Sequence, residues 1–537
     1  MEHDDTGPAP RPHYVTVHGG GQVRLWISGE GANLIVLPGL VRSAESAARR
    51  FARNNPGWRV IAVELPGIGY STAPPGADTH AVAGQIAESL DWLGEESCVL
   101  VALDLACPIA EILAARGLLR VARVVTLGRE TACRWKTAGI SPPDLSPRQD
   151  GTHLFALWSF LRDRHLLVPD NPGLPLDDGE PVPSVDMFSD TFVCAAQDPS
   201  GFSMAWRNCI TALQSPASVA TPDLACDADL DLSGVRLQEG RAAPPPTDPV
   251  ADGAIWHDYV ETANGRLHLR RAGANGDPLL VIPTGGGSSA QFAPVISGLS
   301  GGRSVFAVDY PGNGLSAPPE GEVSIHSLAN DLIVLLDAMG IERTDIWGSH
   351  TGSLVALDMA VIAPERVRRI VMEGPVFIDP GLQDDILANY FLDFTPDKWG
   401  RHLLSVWNWR RDMFMYWPWY RVERTAARHL GVPDADQLHL YALGILESGG
   451  TYDLAYRSAF SYDTGARLAK LTRPALVCAG PNDQLRNGVA EARRLGPSGL
   501  VTAKETPTTV WWPDPDPDEA RETLAVYDSY LRQAVRD

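Results

Sequence analysis

The chain has 537 residues, of which 44% are hydrophobic and 21% charged. That length exceeds one compact domain and suits two, each with apolar residues enough for its own core. With 66 acidic against 45 basic side chains the formal net charge is -21, which repels phosphate backbones and anionic lipid and argues against nucleic acid or a membrane as partner. The 7 cysteines are scattered and form no CxxC pair, so neither a disulfide framework nor a metal site is expected. The first residues are acidic and proline-rich without an apolar run, and no window of about 18 apolar residues occurs; a cytoplasmic location is expected.

Taken in chain order, the elements come twice. A strand opening at Tyr14-Val15 has a counterpart at Tyr259-Val260. Leu65-Pro66-Gly67-Ile68-Gly69-Tyr70-Ser71 has one at Tyr310-Pro311-Gly312-Asn313-Gly314-Leu315-Ser316. His153, Trp158, Arg162 and Asp163 are matched by His402, Trp407, Arg411 and Asp412, and Asp186, Phe202 and Arg207 by Asp436, Tyr452 and Arg457. Partners lie about 245 to 250 residues apart throughout, as a tandem duplication with small loop insertions requires. The predicted domains are 1–240 and 255–537, with a stiff proline-rich connector over 241–254 and the boundary near Asp248.

In the second copy, strand-like runs occupy 266–272, 278–283 and 303–309. Residues 323–339 have helical spacing, with Leu328, Leu332, Leu335 and Leu336 on one face. Residues 345–348 are strand-like and lead into a helix over 352–362, halted by Pro364; 369–373 and 475–479 complete the apolar strands. Strands separated by helices imply an α/β fold with a mostly parallel sheet covered on both faces. Helical caps are predicted at about 131–210 and 379–462.

Gly348-Ser349-His350-Thr351-Gly352 stands between a strand and a helix, with small residues two places either side of its centre, as a sharp strand-to-helix elbow needs. Upstream, Pro283-Thr284-Gly285-Gly286-Gly287 ends a strand, and Asp309 opens a D-x-x-G-x-G-x-S segment. This ordered set resembles the α/β-hydrolase superfamily, in particular its capped members such as epoxide hydrolases, haloalkane dehalogenases and proline iminopeptidases. The resemblance covers nearly the whole chain, twice.

The departures decide the chemistry. The family's elbow nucleophile is Ser, Cys or Asp; here the position holds His350. The family's acid follows the strand 475–479, which makes Asp483 the candidate and Glu373 a second one. The family's catalytic histidine belongs in the loop 505–518, which reads Val510-Trp511-Trp512-Pro513 and has no histidine, so no ordinary Ser-His-Asp triad can form. The first copy has Ala102-Leu103-Asp104-Leu105-Ala106 at its elbow and too few residues after its cap for the closing strands and helix. It is expected to be truncated and to serve as a structural partner, the two copies packing as a pseudo-dimer.

These residues suggest a cofactor-independent enzyme acting on a hydrophobic carbonyl compound. His350 is the general base, oriented by Asp483 or Glu373, with the N–H groups of Gly286 and Thr351 as an oxyanion hole. The dipole at the helix start is expected to keep the imidazole neutral. Gly285, Ser349, Trp407, Trp409, Tyr416, Trp417, Trp419 and Trp511 are the candidate substrate contacts. A lyase, isomerase or cyclase type of proton transfer suits such a site. Two alternatives are hydrolysis of an ester, lactone or epoxide by His-activated water, and a non-catalytic scaffold in which His350 merely fills a retired elbow.

Overall fold

The computed structural model describes residues 9–176, 182–214, 223–224, 230–240, 243–250, 253–428 and 430–533. Cys226 and, in the predicted connector, Arg241, Ala242, Ala251 and Asp252 lie outside the described residues. The chain divides into two compact units. Unit 1 comprises Met1–Pro147, Thr152–Asp248 and Asp397–Gly400; unit 2 comprises Arg148–Gly151, Pro249–Pro396 and Arg401–Asp537.

Unit 1 is built on a sheet of strands β1 (Arg11–Val17), β2 (Gly21–Ser28), β3 (Ala32–Leu37), β4 (Trp58–Val63), β5 (Cys98–Leu103), β6 (Val121–Leu127) and β9 (Asp223–Leu224). A short hairpin, β7 (Leu167–Val168) with β8 (Asn171–Pro175), stands apart from it. The sheet order is β1-β2-β4-β3-β5-β6-β9, with β2 antiparallel to β1 and β4 and the remaining pairs parallel. Every residue of β5 is buried, which is why it reads as an unbroken apolar run rather than an alternation. The last strand is only two residues long, and among the described residues no further strand or closing helix follows it in this unit.

Unit 2 repeats the order with one strand more. Strands β10 (Trp256–Thr262), β11 (Gly265–Ala272), β12 (Asp277–Ile282), β13 (Arg303–Val308), β14 (Thr344–Ser349), β15 (Val367–Glu373), β16 (Ala475–Ala479) and β17 (Val501–Glu505) lie in the order β10-β11-β13-β12-β14-β15-β16-β17. The helix predicted over 323–339 is Ile325–Ala338, started by a reciprocal cap between Ser324 and Ser327. The sheet is closed by the helix Pro517–Leu531, whose Tyr527 and Tyr530 pack into the core with Trp347 and Trp511. Four helices, Pro380–Asn389, Arg401–Met415, Ala435–Ser448 and Leu454–Phe460, form the cap between β15 and β16. Among the described residues no helix is long and apolar enough to cross a membrane.

The repeated glycine motif has one physical cause in both units. Asp309 accepts from the Ser289 and Leu315 amides at 2.6 and 3.1 Å and bonds His268 Nδ1 at 2.8 Å; Glu64 accepts from the Tyr70 amide at 2.7 Å and from Arg24. A Cβ at Gly314 would fall 2.3 Å from Asp309 Oδ2, and one at Gly69 would fall 2.6 Å from Glu64 Cδ. Asp309 thus organises its turn and does not face the elbow.

The elbow of unit 2 is held by contacts only glycine permits. A Cβ on Gly348 would lie 2.2 Å from the Gly352 oxygen, and one on Gly352 would lie 2.1 Å from the Ile282 oxygen at the end of β12. The helix Thr351–Ile362 therefore starts immediately after His350. Unit 1 has Ala102 and Ala106 at these places, and there a 3-10 turn over Asp104–Ala106 precedes the helix Cys107–Ala115. Gly352→Ala is expected to destabilise the protein by about 1–3 kcal/mol through overpacking. An unchanged urea midpoint would mean that β12 gives way without strain.

Candidate active site

Residue 350 leaves a fully buried strand and opens a buried helix, which leaves its backbone at φ 47°, a conformation rare for a residue with a Cβ. Its amide donates to the Glu373 oxygen at 2.8 Å, and the Ser353 hydroxyl donates to the His350 oxygen at 2.6 Å. The surrounding structure thus over-determines a strained position, as functional sites commonly require. Asp104 in unit 1 has the same signature, at φ 38°.

The imidazole of His350 reaches the turn after β16, where its Nε2 lies 3.0 Å from Asp483 Oδ2. The other oxygen of Asp483 accepts from the Leu485 amide at 2.8 Å. Both groups are almost wholly buried. Room for the pair is made by Gly374, at φ 56°: a Cβ there would sit 2.4 Å from His350 Cδ2 and 2.6 Å from Asp483 Oδ2. Sequence reasoning missed Gly374, although its place directly after Glu373 and before Pro375 at a strand end is a visible signal. Nδ1 of His350 has no hydrogen-bond partner among the described residues.

Burial pulls the imidazole toward its neutral form, but the Asp483 carboxylate opposes it, first by charge and then through the hydrogen bond, and Glu373 adds to this against Arg428. The net shift is upward. The same pairing overcomes burial at Asp483 and lowers that carboxyl. The expectation of a dipole-neutralised ring is corrected accordingly. The macrodipole is worth about 0.3–1 kcal/mol, less than a buried carboxylate at hydrogen-bond distance.

Glu373 has a different occupation. Its oxygens accept from Trp511 Nε1 at 2.6 Å and from the Tyr527 hydroxyl at 2.7 Å, and burial raises its pKa. Its carboxylate acts on the His350 ring through charge, while its main-chain oxygen accepts the His350 amide. Trp511, from the loop where the resemblance puts a histidine, presents its ring edge-on to the imidazole at 5.7 Å between centroids.

A cavity of about 50 Å³ opens above the dyad, with Thr284, Gly285, His350 and Trp511 on its core side and Arg410, Phe414, Arg428, Tyr441 and Tyr456 among its cap residues. Thr351 adjoins it, since a Cβ on Gly285 would meet Thr351 Oγ1 at 2.8 Å; one on Gly286 would meet the Tyr456 ring at 2.8 Å. Ser349 is buried and does not line the cavity.

The cap tryptophans expected as a substrate wall are placed elsewhere. Trp407 is wholly buried and donates to the Gln149 oxygen at 3.0 Å. Trp409 and Trp419 donate to the Tyr390 oxygen at 3.3 and 2.9 Å, and Trp417 stands edge-on to the Tyr390 ring. Tyr416 pairs its backbone with Ala427. Trp409, Trp417 and Trp419 pack around the Tyr390 ring, and the indole N–H groups of Trp407, Trp409 and Trp419 find the main-chain acceptors that a cap interior requires. Phe414, Tyr441 and Tyr456 take the place assigned to them. Arg410, Arg428, Tyr441, Tyr456 and Gln484 were missed, because helical periodicity marks a buried face without saying what it encloses.

Unit 1 treats its elbow differently. Asp104 turns its carboxylate back onto the Leu105 and Leu40 amides, the latter at 3.4 Å, with Arg42 at 3.5 Å. Leu40 follows β3 as Gly285 follows β12, and Leu105 follows its elbow residue as Thr351 does. The carboxylate thus holds the amides at the places of Gly285 and Thr351, while Val41 stands at the place of Gly286. Burial still raises its pKa, against Arg42 and these two amides. His165 is bound to the Val41 oxygen at 2.9 Å and is pushed down to about 3, chiefly by burial.

A raised histidine pKa means that the imidazolium is favoured in the folded state. Its contribution to stability is present below the unfolded value of about 6.5 and is lost as pH rises through the folded one; that of Asp483 is present above about 3.9 and is lost as pH falls through its lowered folded value. NMR titration of the His350 ring is expected to give a midpoint above 6.5, and Asp483→Asn is expected to bring it below, since burial remains while the charge is gone. A midpoint unmoved by Asp483→Asn would sink this assignment.

The family described as "alpha/beta hydrolase fold" matches residues 32–157 and 277–517. A putative carbamate hydrolase RutD of Azorhizobium caulinodans is 26% identical over 232 residues, covering 42% of this chain and 81% of that protein. A 2-hydroxy-6-oxo-2,4-heptadienoate hydrolase of Pseudomonas putida is 33% identical over 124 residues, 22% of this chain and 45% of that protein. Among solved structures, Epoxide Hydrolase A from Mycobacterium thermoresistibile is 22% identical and covers 52% of this chain and 98% of its own, with a TM-score of 0.39. With the family matched over more than half of the residues and its motifs assembled on the sheet, the chain belongs to the α/β-hydrolase fold family.

Proposed function

We propose that unit 2 is a cofactor-independent enzyme in which His350 acts as general base on an apolar, carbonyl-containing small molecule. The observation that carries this reading is the bond of 3.0 Å between His350 Nε2 and Asp483 beneath a cavity. Asp483 holds the proton of the neutral ring on Nε2, which leaves the Nδ1 lone pair as the base. The imidazolium formed by proton transfer is then stabilised by the same carboxylate. This is the division of labour between histidine and acid in a hydrolase triad, with the nucleophile left out. The backbone of Gly285, Gly286 and Thr351 is the proposed oxyanion hole for the developing negative oxygen.

The proton comes from carbon next to the carbonyl in a lyase or isomerase reaction. It comes from water in hydrolysis, and the hydrolases among the relatives favour that second reading.

Turnover is expected to rise with pH through one ionisation above the ordinary histidine value, because the raised pKa keeps the base protonated at lower pH. His350→Ala is expected to reduce turnover by about 10²–10⁴-fold and to lower the melting temperature, because it leaves the buried Asp483 carboxylate without its partner. His350→Ser is expected to yield no esterase, since the loop 505–518 supplies no histidine. The assays are solvent-deuterium exchange into aryl ketones, read by proton NMR, and release of nitrophenol from 4-nitrophenyl esters. Undiminished activity in His350→Ala, or fluorophosphonate labelling of a serine, would move the chemistry elsewhere.

A further inference from the structure

Two guanidinium groups line the cavity above His350, and neither meets a carboxylate among the described residues. Arg410 is 7% exposed; its three hydrogen bonds go to the Tyr441 oxygen, the Met413 sulfur and Gln291 Oε1. Arg428 donates to the Met413 and Asn482 oxygens and lies over the Trp512 ring. Asp483 is near Arg428, but its oxygens are engaged by His350 and the Leu485 amide. Arg410 also lies over the Trp409 and Tyr441 rings, at 5.6 and 5.4 Å. An arginine has five N–H donors, so both groups keep donors beyond these contacts.

Most other buried arginines of the chain meet a carboxylate, although Arg59 lies over the Trp92 ring instead. Arg24 pairs with Glu64, Arg129 with Glu111, Arg270 with Asp309, and Arg303 with Asp345 and Asp528. A buried charge without a counter-ion is unfavourable unless something supplies one. The duplication gives an internal comparison. The cap helix Arg401–Met415 matches Thr152–Leu166 residue for residue, with His402 on His153 and Trp407 on Trp158, and this alignment puts Arg410 on Leu161. Leu161 is wholly buried. The copy whose elbow carboxylate already covers its own amides packs the same helix with a leucine, so the position does not need a cation for packing.

We propose that the substrate of unit 2 carries a carboxylate, bound by Arg410 and Arg428, with its apolar body against Phe414, Tyr456 and Trp511 and its reacting carbon toward His350. This rests on the reading of His350 as base and narrows it to a class of apolar organic acids. Two fixed cations also explain how an anion enters a protein whose net charge is -21.

The test is calorimetric titration of the full chain with 4-phenylbutyrate and 3-phenylpropionate, each against its uncharged amide. The acids are expected to bind about tenfold or more tightly than the amides, a difference of about 1.4 kcal/mol. Arg410→Leu and Arg428→Met are each expected to remove that preference, and Arg410→Lys to keep part of it. Arg410→Leu is further expected to melt no lower than the parent, whereas a merely structural staple would lose stability on replacement. Acids bound no better than amides by the parent protein overturn the proposal, as does a preference that survives in both Arg410→Leu and Arg428→Met. His350→Ala keeps the acid preference on this proposal, so full turnover in that variant would remove the base reading and leave the anion site standing.

Discussion

A methyl group on residue 348 or 352 would lie 2.2 or 2.1 Å from a main-chain oxygen, and the working end of unit 2 depends on its absence. Without those methyls the chain turns from β14 into a helix in one residue. That residue is forced to positive φ, and its side chain emerges above the carboxyl ends of the strands. The turns after β12, β15 and β16 converge on the same place, bringing Gly285, Gly374 and Asp483 around it. In unit 1, where both positions are alanine, the elbow residue keeps a positive φ, a 3-10 turn precedes the helix, and the Asp104 carboxylate bonds nearby amides.

Electrostatics at the elbow is a contest between burial and pairing. Burial alone would leave His350 neutral. A carboxylate at 3.0 Å outweighs it, and the second carboxylate, although held by Trp511 and Tyr527, still adds its field. The ring is thereby tuned as a stronger base than free histidine. The rigidity of Glu373 matters here, since a carboxylate fixed by two buried donors contributes charge without swinging in to compete for the imidazole.

Much of this was legible in the sequence. The strands and the elbow followed from glycine spacing around apolar runs, with the acid left open between Asp483 and Glu373. Those are local signals, set by backbone sterics within a few residues. The choice between Asp483 and Glu373 was not legible, because it turns on which acid finds partners in the closing helix, more than 150 residues from Glu373 in the case of Tyr527. The cap was least legible. Trp407, Trp409 and Arg410 fall on one short stretch of helix, and only the packing decides that the tryptophans look inward to main-chain oxygens while the arginine faces the cavity. The upward shift of His350 was missed for a related reason, since a dipole can be read from an element while a partner's charge must be located in space.

The carboxylate of Asp104 is, in effect, a ligand covalently tethered to its own receptor. It shows what the two amides beside this elbow hold: a carboxyl oxygen, taken out of water and set against an arginine. Unit 1 therefore preserves a static image of the charge that unit 2 is proposed to stabilise only in passing. In one copy the elbow side chain is the anion; in the other it is a cation-forming base that leaves the amides to whatever oxygen the substrate brings. Aspartate between alanines in one copy and histidine between glycines in the other thus separate an elbow satisfied by its own backbone from one that opens on a cavity.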